Sequence, residues 1–182
     1  RANLNYRSGL ARNVHYGDIL VRFGEILDAQ GDDVPFVTDD ETASKLAPSK
    51  LANGDIVLAD AAEDEMVGKC TEVHNVGDQV VLAGLHTIPL RPLLHFAPYY
   101  LGYFLNSSAY HDQLLPIMQG TKVLSVSKTA IKQTTICFPT AKDEQQKIGS
   151  YFRTLDTLIA QHATQLQKLQ QIKSACLEKM FV

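Results

Sequence analysis

The sequence predicts an α+β body followed by one long coiled-coil-type helix, and three observations carry that expectation. Positions Ile148, Phe152, Leu155, Ile159, His162, Leu166 and Leu169 step by alternating fours and threes, the seam of a helix that packs lengthwise on another helix. Strand-like runs cluster before Leu90 and helix-like runs follow Pro98, without the strand-helix alternation of a doubly wound sheet. No proline follows Pro139. The organisation expected is a body over residues 1–139, with mixed or antiparallel sheet, and a helix over residues 140–182.

Taken in order, residues 1–15 read as polar and irregular, and Tyr16 to Arg22 as a strand entered through a turn. Asp28 to Pro35 is a loop. Val34 to Val37 suits a short edge strand, because Pro35 cannot donate to a ladder. Ser44 to Leu51 can make a helical turn before Asn53-Gly54, a turn signal that precedes a strand over Asp55 to Ala59. Ala61 to Glu65 is an acidic exposed turn. Met66 to His74 and Asp78 to Leu90 read as an antiparallel pair joined at Asn75 to Asp78, with Pro89 and Pro92 ending it. Pro98 opens a short buried helix, and Ser107 or Ser108 caps a second through Leu115. Thr121 to Val126 and Thr134 to Phe138 are late strands on either side of a turn at Ser127 to Ala130. Thr140-Ala141-Lys142-Asp143 has the form of a helix start.

The final helix would run about 57 Å at about 1.5 Å per residue, against a body about 30 Å across. Much of its seam therefore needs a second helix. Beyond Leu169 the seam continues through Ile172 or Lys173 to Cys176 and Met180. His162, where a leucine would pack best, reads as a device for fixing register.

Composition limits the function classes. With 45% hydrophobic residues among 182, the chain can build one core and carry an appended helix. Cys70, Cys137 and Cys176 form no CxxC pair and no disulfide framework, which fits a reducing cytoplasm. No apolar run spans a membrane. The start at Arg1, without a methionine, suggests a fragment of a longer polypeptide. Net charge is −3, but residues 28–78 hold thirteen acids against Lys45, Lys50 and Lys69, a balance of −10, while every other part is positive. A chain segregated in this way can still present one side to phosphates.

Several kinds of chemistry are missing. There is no Gly-x-x-x-x-Gly-Lys-Ser/Thr phosphate loop and no glycine-rich turn for a methyl-donor nucleotide. No acid stands two positions before any of the eleven lysines, as a common metal-dependent nuclease site requires. Ala97-Pro98-Tyr99-Tyr100 lacks the polar first residue and second proline of an amino-methyltransferase loop. His74, His86, His95 and His111 form no spacing that argues a metal site or a nucleophilic triad. No catalytic residue, metal or cofactor is expected.

Phe138-Pro139, Glu144 to Ile148, Leu155-Asp156, Ile159, Leu166, Leu169, Lys173 and Leu177 through Met180-Phe181 resemble the conserved helical region of type I restriction-modification specificity (S) subunits. Upstream, Gly54 to Leu58, Val67-Gly68-Lys69, Leu90-Arg91-Pro92, Tyr99-Tyr100-Leu101, Gly120-Thr121-Lys122 and Thr134-Thr135-Ile136 resemble that family's target recognition domain, in matching order. The resemblance implies one recognition domain and one conserved helix, like the carboxyl-terminal half of such a subunit. It implies double-stranded DNA as ligand, with methyltransferase (modification) and restriction subunits as partners. The helix would pair with the second half of the subunit or with another copy, and act as a spacer.

Contact chemistry then singles out DNA-binding candidates. Gly120-Thr121-Lys122 offers backbone N–H groups, a hydroxyl and an ammonium within one turn, and is otherwise an ordinary turn. Lys69 follows a glycine that permits close approach. Arg22 could meet guanine or phosphate. His86 and Thr87 either line a groove or are satisfied core residues, and Lys128 adds a charge nearby in sequence. Two other classes stay open: a coiled-coil assembly protein whose body binds a protein and no DNA, and a small hydrolase using histidines.

Overall fold

The computed structural model describes residues 4–31 and 33–181. Arg1 to Asn3 of the expected irregular start, Asp32 of the expected loop, and Val182 lie outside them. The architecture is α+β. One four-stranded sheet has the order β1 (Leu4–Asn5), β4 (Phe36–Val37), β2 (Ala11–Val14), β8 (Val80–Ala83), with β2 and β8 parallel. The second has the order β3 (Ile26–Asp28), β7 (Cys70–His74), β5 (Ile56–Ala59), β9 (Thr87–Leu90), with β5 antiparallel to both neighbours and β3 parallel to β7. A small ribbon joins β6 (Ala61–Ala62) to β10 (Leu124–Ser125). The helices are α1 (Tyr16–Val21), α2 (Asp40–Leu46), α3 (Tyr100–Leu105), α4 (Ser108–His111), α5 (Lys128–Ile131) and α6 (Lys142–Met180).

Strand β5 shows why the second sheet is central. Its four residues are all buried, with Val57 and Ala59 entering one core beside Ile19, Phe23 and Val73. Ile56 and Leu58 enter the other, beside Tyr100, Leu101, Tyr110 and Leu114. A strand covered on both faces must be apolar throughout, and this one reads Ile-Val-Leu-Ala.

Several local expectations yield to tertiary structure. Tyr16 to Val21 is a helix, not a strand: His15 Nδ1 accepts the Gly17 N–H at 3.1 Å, and the helical turn carries Ile19 into the core. Residues 4–5 and 11–14 are strands where irregular chain is expected. Phe36–Val37 lies between β1 and β2, so it is not an edge. The 66–74 and 78–90 segments do not pair. Asn75 and Gly77, with φ of 55° and 57°, turn the chain out of the second sheet, and β8 crosses to lie beside β2. Pro89 stands inside β9, opposite Val57, and is tolerated there because β9 is an edge. Of the two late strands only Leu124–Ser125 forms, and Ser127 instead caps α5 by accepting the Ala130 N–H.

Helix α6 starts without the expected side-chain cap, since Ala141 holds the N-cap position. The buried Gln145 ties that end down, accepting the Ala97 N–H at 3.0 Å and donating to the Pro139 carbonyl at 2.7 Å. One turn on, Gly149 lets the helix touch the α3 entry: a Cβ there would stand 2.8 Å from the Pro98 oxygen and 3.1 Å from the Tyr100 nitrogen. Gly149→Ala is therefore expected to destabilise the body-helix joint by about 1–3 kcal/mol, as overpacking against backbone does, measured by urea unfolding. From Thr157 to Phe181 every residue is exposed, a free length of about 37 Å at about 1.5 Å per residue.

Candidate nucleic-acid interface

The helix α1, the Ala61 to Asp64 segment, the turn into β9 and the loop before β10 meet at one end of the body. They enclose a cleft of about 450 Å³ lined by Tyr16, Leu20, Glu63, Asp64, His86 and Val123, among others. The loop is pinned at its neck, where Gln119 and Ser125 exchange backbone hydrogen bonds of 2.9 and 2.8 Å. Gly120 turns it with φ of 118°, a conformation that also brings the Val123 carbonyl where a Cβ would sit. Thr121 and Lys122 are exposed at its tip.

His86 takes the left-handed conformation, φ 56°, immediately before β9 and not on the strand. Its Nδ1 lies 3.4 Å from Asp60, and its ring meets Tyr16 edge to face at 5.3 Å. Thr87 Oγ1 donates to the Gly84 carbonyl at 2.6 Å. Lys69 reaches under α1 to donate to the Leu20 carbonyl at 3.1 Å. Arg22 donates to Tyr6 Oη at 2.6 Å and to Asp33 at 2.7 Å, and these bonds hold the guanidinium more firmly in its charged form. Lys128 is exposed on α5.

Of the predicted residues only His86 lines this cleft; Thr87 follows it in the chain, Lys69 meets the cleft wall through the Leu20 carbonyl, the 120–122 loop adjoins it through Val123, and Arg22 is engaged with Tyr6 and Asp33. Tyr16, Glu63 and Asp64 join that cleft and escape sequence reasoning. Carboxylates on such a rim oppose phosphate but can accept from a cytosine amino group.

The second candidate feature is the helix seam expected from the sequence. Ile148 packs on the α3 core, Phe152 meets the Tyr103 ring at 5.3 Å, and Leu155 is half-buried. Ile159, His162, Leu166, Leu169, Cys176 and Met180 are all exposed. Glu72 is a carboxylate buried in β7, which reads Cys-Thr-Glu-Val-His. It accepts the Tyr99 N–H at 2.9 Å, the Gly102 N–H at 2.8 Å, and contacts His74 Nε2 at 2.7 Å. It caps α3 from outside and holds Tyr99 at φ 72°. Tyr103 donates to Asp156 of α6, and burial, then this bond, raise its phenol above the usual range.

Among the described residues no group of three His, Cys, Asp or Glu is placed to hold a metal ion. No helix among them is long and apolar enough to cross a membrane.

The sequence profile of a family described as "Type I restriction modification DNA specificity domain" matches residues 27–171. No curated protein matches significantly. Among solved structures, a chain described under "Structural basis underlying complex assembly and conformational transition of the type I R-M system" is similar, with a TM-score of 0.57 and 19% identity. The match covers 98% of this chain and 40% of that one, and at this identity the likeness is one of fold.

Proposed function

Because the chain belongs to the type I restriction-modification DNA specificity domain family, we propose that it reads one half of a bipartite target in double-stranded DNA. The body over residues 1–139 supplies base and phosphate contacts. The helix over residues 140–182 pairs with a second such helix and sets the spacing. Methylation and restriction belong to partner subunits that dock on the assembly, which works in the cytoplasm, and the chain itself carries no catalytic group. The observation that supports this most is the family match running continuously from the body into a helix that is exposed from Thr157 to its end at Met180.

Lys122, at the loop tip, and Lys69, once it leaves the Leu20 carbonyl, are the phosphate contacts in this reading. Lys122→Ala is expected to weaken binding to all duplexes alike and to lower the slope of log K against log salt by about one unit. A gel-shift series at several salt concentrations measures this, and an unchanged slope places Lys122 away from DNA. A body that shifts no duplex, alone or with a modification subunit, would favour the assembly-protein reading. Turnover of ATP, DNA or a methyl donor by the purified chain would overturn its non-catalytic role.

The spacer role has its own measurement. Adding one heptad beside Gln165 in both helices keeps the seam and adds about 10 Å, roughly three base pairs at about 3.4 Å each. Methylation of a library varying spacer length and half-site bases should then favour the longer spacer with the same bases.

A further inference from the structure

We propose that the hydrogen bond from Tyr103 to Asp156 is a latch that fixes the angle between α6 and the body, which makes these two side chains positioning residues for the distance between half-sites. The half-site role rests on reading α6 as the spacer, whereas the latch is a property of the single chain.

Helix α6 is held at two places. At its base Gln145 bonds the Ala97 N–H and the Pro139 carbonyl, and Gly149 lies against the backbone of Pro98 and Tyr100. Contact that close prevents sliding, but a helix held only there can pivot. The second place lies one to two turns on. There Phe152 meets the Tyr103 ring at 5.3 Å, Arg153 stands 5.9 Å from the Tyr99 ring centroid, and the Tyr103 hydroxyl donates to Asp156 Oδ2. Ring packing is non-directional and tolerates a tilt. A hydrogen bond to a carboxylate has a narrow range of length and angle, so it is the contact that defines the tilt.

Space is open on both sides of this bond. A cleft of about 710 Å³ separates Gly24 to Ile26 from α6 beyond Arg153, and one of about 420 Å³ lies between α3 and the helix base. Asp156 lines both clefts, and so does Glu25 of the body, a like charge that offers it no donor. A swing of α6 about Gly149 needs that space. Beyond Asp156 every residue through Phe181 is exposed, so no buried contact stops the swing further out.

The lever is long. Asp156 stands seven residues from Gly149, about 10 Å, and Met180 stands thirty-one residues from it, about 46 Å, at about 1.5 Å per residue. Each ångström of play at Asp156 is therefore roughly four at the far end, close to the rise of one base pair. In the spacer reading that is the difference between accepting one spacer length and accepting its neighbours as well.

The test reads the angle first and the spacing second. Nitroxide labels on the exposed Cys176 and on Ser44→Cys of α2, in a Cys137→Ser background with Cys70 buried, report the distance from body to helix by pulsed electron spin resonance. Excess unlabelled chain confines the signal to distances within one molecule. Tyr103→Phe, which keeps the ring and removes the hydroxyl, should broaden the distribution by about 4 Å while the circular dichroism of the body is kept. Asp156→Ala should do the same. Asp156→Asn, whose amide oxygen still accepts from the phenol, should keep the parent's width. With a modification subunit, methylation of a library of spacer lengths should extend in Tyr103→Phe to the lengths on either side of the parent's, with the same half-site bases. An unchanged distance distribution in Tyr103→Phe overturns the latch. A broadened distribution with the parent's spacer profile overturns the positioning role. A parent that methylates no member of the library overturns the DNA reading on which that role rests, and the latch is then decided by the distances alone.

Discussion

Leu166→Asp is expected to abolish self-association of the chain without moving the melting transition of its body. Leu166 is 57% exposed and lies well beyond Asp156, where Tyr103 of the body holds the helix, so the single chain buries little of it. In a helix pair the same position is buried. Placing a carboxylate there without a partner costs several kcal/mol, comparable to the whole stability of a two-helix contact of this length. Sedimentation of parent and variant across a concentration series measures the first effect, and thermal unfolding the second. If the parent is a monomer at high concentration, the pairing reading fails. If the variant melts early, the distal helix folds back on the body.

The largest effect on the folded body is expected from Glu72→Ala. The carboxylate is almost wholly buried and satisfies two backbone N–H groups at the start of α3 while contacting His74. Its removal leaves the buried Gly102 N–H and the partly buried Tyr99 N–H without their acceptor and releases Tyr99 from its left-handed conformation. A loss of about 3–5 kcal/mol is expected, the magnitude for breaking a buried charged network by deleting one member. Because Pro98 to Tyr100 is also the surface on which Gly149 rests, α6 should loosen from the body before the sheets unfold. Urea unfolding followed by far-ultraviolet circular dichroism and by an environment-sensitive dye near Tyr103 separates the two events. Glu72→Gln should retain part of the stability, since its amide oxygen can still accept one of the two N–H groups. Equal loss in both variants would mean that the charge, and not the acceptor geometry, holds α3.

The Tyr103 phenol sets a limit at high pH. Its folded-state value is raised, so its contribution is present in full below the ordinary tyrosine range and is lost as pH climbs through the folded value. Stability should therefore decline in strong alkali, by less in Tyr103→Phe.

How much could be read from the chain depended on the range of each interaction. Helix α6 was legible because its seam and the absence of proline are local facts. The turn at Asn53-Gly54, with Gly54 at φ 85°, and the strand after it were legible for the same reason. The Tyr16 to Val21 segment was not, since its six residues suit either state and only the seat of Ile19 in the core decides between them. The pairing of β7 with β3, and the departure of β8 to lie parallel to β2, join segments tens of residues apart, and no short-range pattern reports them. Among the candidate contacts, the turn chemistry of Gly120 to Lys122 was visible, whereas the meeting of that loop with His86 and α1 was not.

By itself the sequence determined that a long helix follows Pro139, which of its positions carry a four-three apolar stripe, and that the body is α+β, because periodicity and turn chemistry act within a few residues. Only the tertiary structure decided how the seam is divided. Gln145 and Gly149, held against Ala97 to Tyr100, spend the first turns of α6 on the body and leave Thr157 to Phe181 in solvent. That division follows from where Glu72 and the second sheet place α3, a contact between distant segments that exists only once the sheet has closed.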